Sequence, residues 1–288
     1  MTQLKTPKSS QQYTNKELKL ISIQLKKMVL QMLNTARSGH TGGALGLSDV
    51  YAVLYGSVAN ITPKNATSIT RDYVFVSNGH TAPILYATLA HFQFIEEGEL
   101  KTLRKLNSRL QGHPHLGSIP GVENSGGPLG QGISQAVGLA AALKREKKPN
   151  EVYCIIGDGE CEEGQVWEAL MFAHKEELDN LIIIIDRNNI QIDGTTEDVL
   201  RFDNLVEKFR SFGCVTTQID GNNIEHIKKA LIHAQERRNK THVIIANTIL
   251  GSGVSFMEND YTWHGKVPND EELQLAMSEL DVLERNIF

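Results

Sequence analysis

Leu181-Ile182-Ile183-Ile184-Ile185 is the stretch that decides the fold, because it is apolar at every position. A half-exposed strand alternates apolar and polar residues, whereas a strand covered by helices on both faces does not. Three further apolar runs of strand length stand at 73–76, 152–156 and 243–247. Stretches with helical spacing separate these runs, at about 80–93, 129–146, 162–176, 203–211 and 224–238. This alternation predicts an α/β fold with a doubly wound, mostly parallel sheet flanked by helices.

We expect one domain with a loose start and a trailing arm. Residues 1–13 are polar and carry no apolar pattern. A capping box from Thr14 to Glu17 predicts a first helix that begins there. The α/β domain is predicted to span 14–250, and 251–288 is predicted to form a C-terminal arm of the same domain that closes with a polar helix.

The composition argues against several classes of protein. The 288 residues carry a formal charge of −5, which argues against nucleic acid or an anionic membrane as the main partner. No apolar run approaches the roughly 20 residues of a membrane helix, and the first residues lack the apolar core of a signal peptide. Three scattered cysteines fit neither a disulfide framework nor a metal site. We therefore expect a cytoplasmic protein.

A Gly-Asp-Gly turn, Gly157-Asp158-Gly159, follows the strand predicted at 152–156. The dinucleotide fingerprint requires a third glycine that is missing here, which argues against a dinucleotide-binding oxidoreductase. A carboxylate at this turn repels a pyrophosphate unless a divalent cation lies between the two, as Mg²⁺ commonly does. Taken alone, Gly-Asp-Gly is also a common structural turn.

Asn188 adds a second oxygen ligand at the same edge of the predicted sheet. It stands just after the apolar strand, and 28 residues (160–187) separate it from Gly159. That length fits one helical crossover between two adjacent parallel strands. The Asp158 carboxylate, the Asn188 carboxamide and a nearby main-chain carbonyl can then share one ion.

The segments 157–169 and 188–194 resemble the thiamine diphosphate-binding motif of transketolases. The resemblance implies that a metal, Mg²⁺ or alternatively Ca²⁺ or Mn²⁺, holds the diphosphate of the cofactor. It assigns three ligands to that metal: the Asp158 carboxylate, the Asn188 side chain and the Ile190 carbonyl. It assigns further residues to the cofactor site, with Ile192 against the thiazolium ring and Glu163 at a subunit interface: Gly157, Gly159, Glu163 and Ile192.

Four histidines stand in glycine-flanked turns, at His40, His80, His113 and His264. A single histidine is more often structural or solvated, but turns at the carboxyl edge of a sheet can bring titratable groups to one ligand. All four match active-site histidines of transketolases. The resemblance implies that His80 and His264 contact the diphosphate. It also implies that His40 and His264 transfer protons at the C3 hydroxyl of the ketose, and that His113 holds its C1 hydroxyl.

The glycine-rich segment 126–132 leads into the helix predicted at 129–146. On its own it is consistent with a closely packed helix start. The resemblance implies that the Gly127 carbonyl accepts a hydrogen bond from the 4′-amino group of the cofactor. It also implies that Leu129 packs on the pyrimidine ring.

The resemblance runs from about residue 14 to the end and implies the N-terminal subunit of a split, two-gene transketolase. Such an enzyme transfers a two-carbon ketol unit reversibly from a ketose phosphate to an aldose phosphate. The glutamate that activates the cofactor, and the residues that bind the sugar phosphate, belong to the second domain of the family. We therefore expect a C-terminal partner subunit that supplies both, in an α2β2 assembly, and no ketol transfer by this chain alone.

Departures from the family pattern leave the substrate open. Among them, Thr41 follows His40 where proline is usual, and His115 stands where an acidic residue is common. An imidazole near the substrate channel favours a different anionic sugar, so a sulfonated or otherwise modified sugar is one alternative. Another thiamine diphosphate-dependent synthase, a dehydrogenase component and a non-catalytic scaffold are further alternatives, against which the full set of histidines argues.

Overall fold

A computed structural model describes residues 13–236 and 239–287. The loose segment predicted over 1–13 lies, except for its last residue, outside the described ranges. The helices in these ranges are α1 (Asn15–Ala36), α2 (Gly42–Gly46), α3 (Ser48–Val53), α4 (Ala82–His91), α5 (Gln131–Arg145), α6 (Gly164–Lys175), α7 (Thr196–Val199), α8 (Leu205–Ser211), α9 (Ile224–Ala234) and α10 (Asp270–Arg285). The strands are β1 (Tyr73–Val76), β2 (Val152–Gly157), β3 (Leu181–Arg187), β4 (Ile190–Gln191), β5 (Gly194–Thr195), β6 (Val215–Asp220) and β7 (His242–Asn247).

Five strands form one parallel sheet in the order β1-β2-β3-β7-β6, and β4 pairs with β5 in a small antiparallel hairpin. The predicted α/β fold with a parallel sheet is therefore confirmed. Strand β3 lies at the centre of the sheet, and it is buried from Leu181 to Asp186. Strand β6 was not predicted from the sequence. It lies at the edge of the sheet, where Thr217 and Gln218 are less buried and dilute its apolar pattern.

Helices cover both faces of the sheet, so the core has two layers. Ile183 and Ile185 of β3 belong to the layer formed with α5, α6 and α8. Ile182 and Ile184, which point the other way, belong to the layer formed with α1, α3, α4 and α9. Burial of each such side chain contributes about 1.5–3 kcal/mol, which is why a run without polar positions forms this strand.

The first and last helices pack against each other. Thr14 and Glu17 form the predicted capping box at the start of α1, and Asn269 with Glu272 forms another at the start of α10. Lys27 of α1 forms ion pairs with two acidic residues of α10. The boundary proposed at residue 250, between domain and arm, remains a prediction. No helix in the described ranges is both long and apolar enough to cross a membrane.

The carboxyl ends of the strands lie at one edge of the sheet and position the polar turns there. Gly157 of β2 pairs with Asp186 of β3, and Asp186 pairs with Ala246 of β7. Short 3₁₀ turns follow β1 and β2, at Gly79–Thr81 and Gly159–Glu162. The turns singled out in the sequence therefore face one another across adjacent strands.

Candidate active site

A cavity of about 440 Å³ opens at this edge of the sheet. Its volume is within the range of roughly 300–1,000 Å³ that is typical of cofactor and ligand sites. All thirteen site residues singled out in the sequence line it: His40, His80, His113, Gly127, Leu129, Gly157, Asp158, Gly159, Glu163, Asn188, Ile190, Ile192 and His264. The fold thus brings together segments that are far apart in the sequence, while the role of each residue remains a prediction.

The four histidines form a cluster at one end of the cavity. The ring centroids of His80 and His264 are 5.0 Å apart, and those of His40 and His80 are 5.4 Å apart. His40 lies 5.9 Å from His264 and 6.4 Å from His113 by the same measure. One small ligand can therefore touch several of these rings at once.

Burial keeps the histidines uncharged near neutral pH. It lowers the pKa of His40 to about 4, with His264, Arg104 and His113 contributing in the same direction. Burial also lowers the pKa of His80 well below its usual range, and that of His264 below it. A neutral imidazole can accept a proton at one nitrogen while the other donates a hydrogen bond, as proton transfer to and from a hydroxyl requires.

Two of these rings carry buried nitrogens without a partner among the described residues. They are Nδ1 of His40 and Nδ1 of His264, and both rings line the cavity. Buried polar atoms are almost always hydrogen-bonded in folded proteins. A polar ligand in the cavity would supply the missing partners.

Asp158 and Asn188 form the oxygen-rich end of the cavity. Asp158 follows β2, and its carboxylate accepts hydrogen bonds from the main-chain N–H of Gly159 at 2.9 Å and of Asn189 at 2.6 Å. The Oδ1 of Asn188 accepts from the main-chain N–H of Ile190 at 2.9 Å. Burial raises the pKa of Asp158 to about 6, because a charged carboxylate is costly there without a counter-charge.

These residues fit a divalent cation of the Mg²⁺ type. A carboxylate, a carboxamide oxygen and the adjacent main-chain carbonyl are the hard oxygen donors that Mg²⁺ takes, with the remaining positions left to phosphate and water. The cation would also supply the counter-charge that buried Asp158 lacks. In the described ranges, no group of three or more His, Cys, Asp or Glu side chains is arranged to hold a metal, so such a cation would depend on this mixed set.

Asp186 was missed in the sequence, although it supports this end of the site. Its buried carboxylate accepts hydrogen bonds from the Thr248 hydroxyl and from Nδ2 of Asn188, the latter at 3.0 Å. The second contact fixes which way the Asn188 amide points, with its oxygen turned toward Ile190. Burial raises the pKa of Asp186 to about 7. The only sequence signal is its place two residues before Asn188, at the end of the apolar strand.

Glu160 was also missed, and it joins three turns around the cavity. Its carboxylate is 2% exposed and accepts hydrogen bonds from the main-chain N–H groups of Gly130 and Gly157, at 2.8 and 3.1 Å, and from the Ser77 hydroxyl. Ser77 follows β1, Gly157 ends β2, and Gly130 precedes α5. An acidic residue after Gly-Asp-Gly gives no sequence signal for contacts this distant.

The remaining wall of the cavity is apolar and open. Leu129 and Ile192 line it and are 37% and 63% exposed, which is high for large apolar side chains. Gly127 packs against Gly79 so closely that a Cβ on Gly79 would lie 2.6 Å from the main-chain nitrogen of Gly127. His115 is not among the residues that line the cavity; its Nδ1 lies 3.4 Å from the Ser125 hydroxyl.

The family model for the transketolase thiamine diphosphate-binding domain matches residues 18–286. One of the two subunits of an apulose-4-phosphate transketolase from Actinobacillus succinogenes is 41% identical over 268 residues, which is 93% of this chain and 96% of that protein. A 6-deoxy-6-sulfo-D-fructose transketolase subunit from a Clostridium species is 38% identical, over 89% of this chain and 94% of that protein. Human transketolase is 34% identical over 86% of this chain but only 40% of its own length.

Solved transketolases have the same fold. The enzyme from Campylobacter jejuni superposes with a TM-score of 0.81 at 30% identity, covering 94% of this chain and 48% of that one. A transketolase variant from Pichia stipitis gives a TM-score of 0.85 at 28% identity, covering 93% of this chain and 41% of that one. The chain therefore spans about half the length of the solved transketolases that it matches, or less.

Proposed function

The chain belongs to the transketolase family, and from this premise we propose that it is the N-terminal, cofactor-binding subunit of a split transketolase. The activity we propose is reversible transfer of a two-carbon ketol unit from a ketose to an aldose. The observation that carries the proposal is the single cavity in which four uncharged histidines lie beside Asp158 and Asn188. A thiamine-dependent synthase or dehydrogenase component would need the metal-binding end but not this set of histidines.

The metal is part of the proposal. Asp158, Asn188 and the carbonyl of Ile190 would hold Mg²⁺, and His80 with His264 would contact the diphosphate of thiamine diphosphate. Support comes from the all-oxygen donor set and from the unpartnered Nδ1 of His264 among the described residues. When bound, the cofactor supplies the covalent chemistry, and the protein contributes binding, orientation and proton transfer.

The histidines would handle the protons of the sugar. His40 and His264, with ring centroids 5.9 Å apart, would take and return the proton of the C3 hydroxyl of the donor ketose. His113, which lies beside His40, would hold the C1 hydroxyl. Their lowered pKa values support this role, because each ring begins uncharged and able to accept a proton.

A second polypeptide completes the enzyme in this proposal. Leu129 and Ile192 are exposed in the wall of the cavity, where the pyrimidine, the thiazolium ring and the partner would cover them. Relatives that match along nearly their whole length are themselves named as transketolase subunits, and the solved transketolases are about twice as long as this chain. The C-terminal partner would provide the activating glutamate and the sugar-phosphate site in an α2β2 assembly, in the cytoplasm.

For the substrate, we propose a modified sugar. The relatives at 36–41% identity are named for apulose 4-phosphate and 6-deoxy-6-sulfo-D-fructose, whereas human transketolase is 34% identical. An ordinary pentose phosphate is the competing candidate. The anionic end of either sugar would be recognised chiefly by the partner subunit.

The test is to express the chain with the transketolase C-terminal subunit encoded beside it and to purify the complex. Ketol transfer is then assayed with thiamine diphosphate and Mg²⁺ on a panel of branched, sulfonated and ordinary ketose phosphates. We expect no turnover by either chain alone and turnover by the complex, with preference for a modified sugar. Comparable turnover by the lone chain would contradict the proposal of a split enzyme, and preference for xylulose 5-phosphate would contradict the substrate proposal.

A further inference from the structure

Thr41 fastens the segment that carries His40 to the segment that carries His264. Its side chain is fully buried, and its hydroxyl donates a hydrogen bond to the main-chain carbonyl of Lys266 at 2.6 Å. Lys266 stands two residues after His264. A second contact joins the same segments, since the N–H of Gly251 donates to the carbonyl of Gly42 at 2.9 Å. Hydrogen bonds therefore connect these two histidine-bearing segments directly.

The backbone before His40 is bent in a way that makes these contacts decisive. Gly39 has φ of +143°, and a Cβ there would lie 2.3 Å from a methyl carbon of Leu33. The turn therefore depends on glycine and carries no side chain that could anchor it. The position of the His40 ring is then set by what holds the residues on either side of Gly39 and His40.

Ser38 supplies the tie on the opposite side. Its hydroxyl accepts a hydrogen bond from Nη1 of Arg104 at 2.6 Å. The Arg104 guanidinium also lies against the turn that carries His113, because a Cβ on Gly112 would come within 2.8 Å of Nε of Arg104. Two hydroxyl groups flanking His40 thus link its turn to the turns of His264 and His113.

We propose that Thr41 is a positioning residue that sets the spacing of the His40 and His264 rings, an inference that rests on the proposed function of that pair. The Thr41 hydroxyl is the part of the contact that a proline, usual at this position in the family, cannot supply. Without it, the buried Lys266 carbonyl loses a donor, and the segment must shift to find another. That shift would move His264 relative to His40.

The experiment compares Thr41→Val, Thr41→Ser and Thr241→Val in the full chain. Thr241 is a matched control, because it is 2% exposed and its hydroxyl donates to the Leu178 carbonyl at 3.0 Å, at the opposite edge of the sheet. Two quantities are measured: the imidazole resonances of His40 and His264 by NMR, and the dissociation constant for thiamine diphosphate with Mg²⁺ by calorimetry.

We expect Thr41→Val to shift both imidazole resonances and to raise the dissociation constant about tenfold, which is about 1.4 kcal/mol. Thr41→Ser, which keeps the hydroxyl, should restore both to within about twofold of the wild-type behaviour. Thr241→Val should lower the melting temperature without changing either quantity.

Unchanged resonances in Thr41→Val, or equal changes in Thr241→Val, would overturn the inference. Failure of the proposed function looks different: the wild-type chain, alone and with its partner, would then not bind thiamine diphosphate at all. In that case the NMR comparison still decides the positioning role of Thr41, since it needs no ligand.

Discussion

Replacement of Asp158 by alanine should stabilise the metal-free chain while abolishing its metal-dependent binding of thiamine diphosphate. The carboxyl group is 2% exposed, and burial raises its pKa from 3.8 to about 6. Between these two values the folded chain binds more protons than the unfolded chain does. The free energy of unfolding therefore falls as pH rises from about 4 to 6, and the full penalty is present at pH 7.

The magnitude follows from the pKa shift and the two hydrogen bonds. A shift of about 2 units corresponds to about 3 kcal/mol at pH 7. Alanine removes this penalty but also removes the acceptor for the N–H groups of Gly159 and Asn189, at about 1 kcal/mol each. The variant should then be more stable than wild type by about 1 kcal/mol, or about 2 °C in melting temperature.

The assay combines thermal unfolding in EDTA at pH 7 with calorimetric titration of thiamine diphosphate in Mg²⁺. Asp72→Ala is the matched control, because the buried Asp72 carboxylate also accepts from two main-chain N–H groups, those of Asn60 at 2.8 Å and Glu151 at 2.9 Å. It lies at the amino edge of the sheet, next to the start of β1. Asp72→Ala should lose stability and keep the wild-type affinity for the cofactor.

Two results would refute the reasoning about Asp158. If the metal-free Asp158→Ala chain lost as much stability as Asp72→Ala, the carboxylate would be a structural acceptor and not a metal ligand held at a cost. If the variant bound thiamine diphosphate with unaltered dependence on Mg²⁺, the metal site would lie elsewhere.

Gly79→Ala should weaken cofactor binding at least tenfold, because its Cβ would lie 2.6 Å from the main-chain nitrogen of Gly127 and push apart two turns of the cavity. Gly138→Ala, inside α5 with open space around the new Cβ, should instead leave binding unchanged and add about 0.5–1 kcal/mol of stability; equal effects on binding would count against the prediction. The His40 ring should titrate in NMR with a midpoint near pH 4, far below the usual 6.5, and a midpoint at or above 6.5 would contradict its burial. Since the folded chain binds fewer protons than the unfolded chain between these values, His40 lowers stability as pH falls from 6.5 to 4, and His40→Asn should reduce that loss.

Much of the fold could be predicted from the sequence because its signals are local. A strand buried on both faces has no polar position, so Leu181–Ile185 predicted both β3 and the helices that cover it. The edge strand β6 was missed, because a strand at the edge is only partly buried and its sequence mixes polar with apolar residues. The spacing from Gly159 to Asn188 matched one crossover, and the structure indeed places the turns of Asp158 and Asn188 at the ends of adjacent strands.

The sequence by itself thus determined the parallel α/β architecture, the family and the residues brought into the cavity. Only the tertiary structure decided how those residues are held. Glu160 joins three turns, Asp186 orients the Asn188 amide, and Thr41 ties the His40 turn to Lys266. The physical reason is that apolar periodicity and turn motifs act over a few residues, whereas each of these polar side chains finds its partner only once the strands and helices have packed.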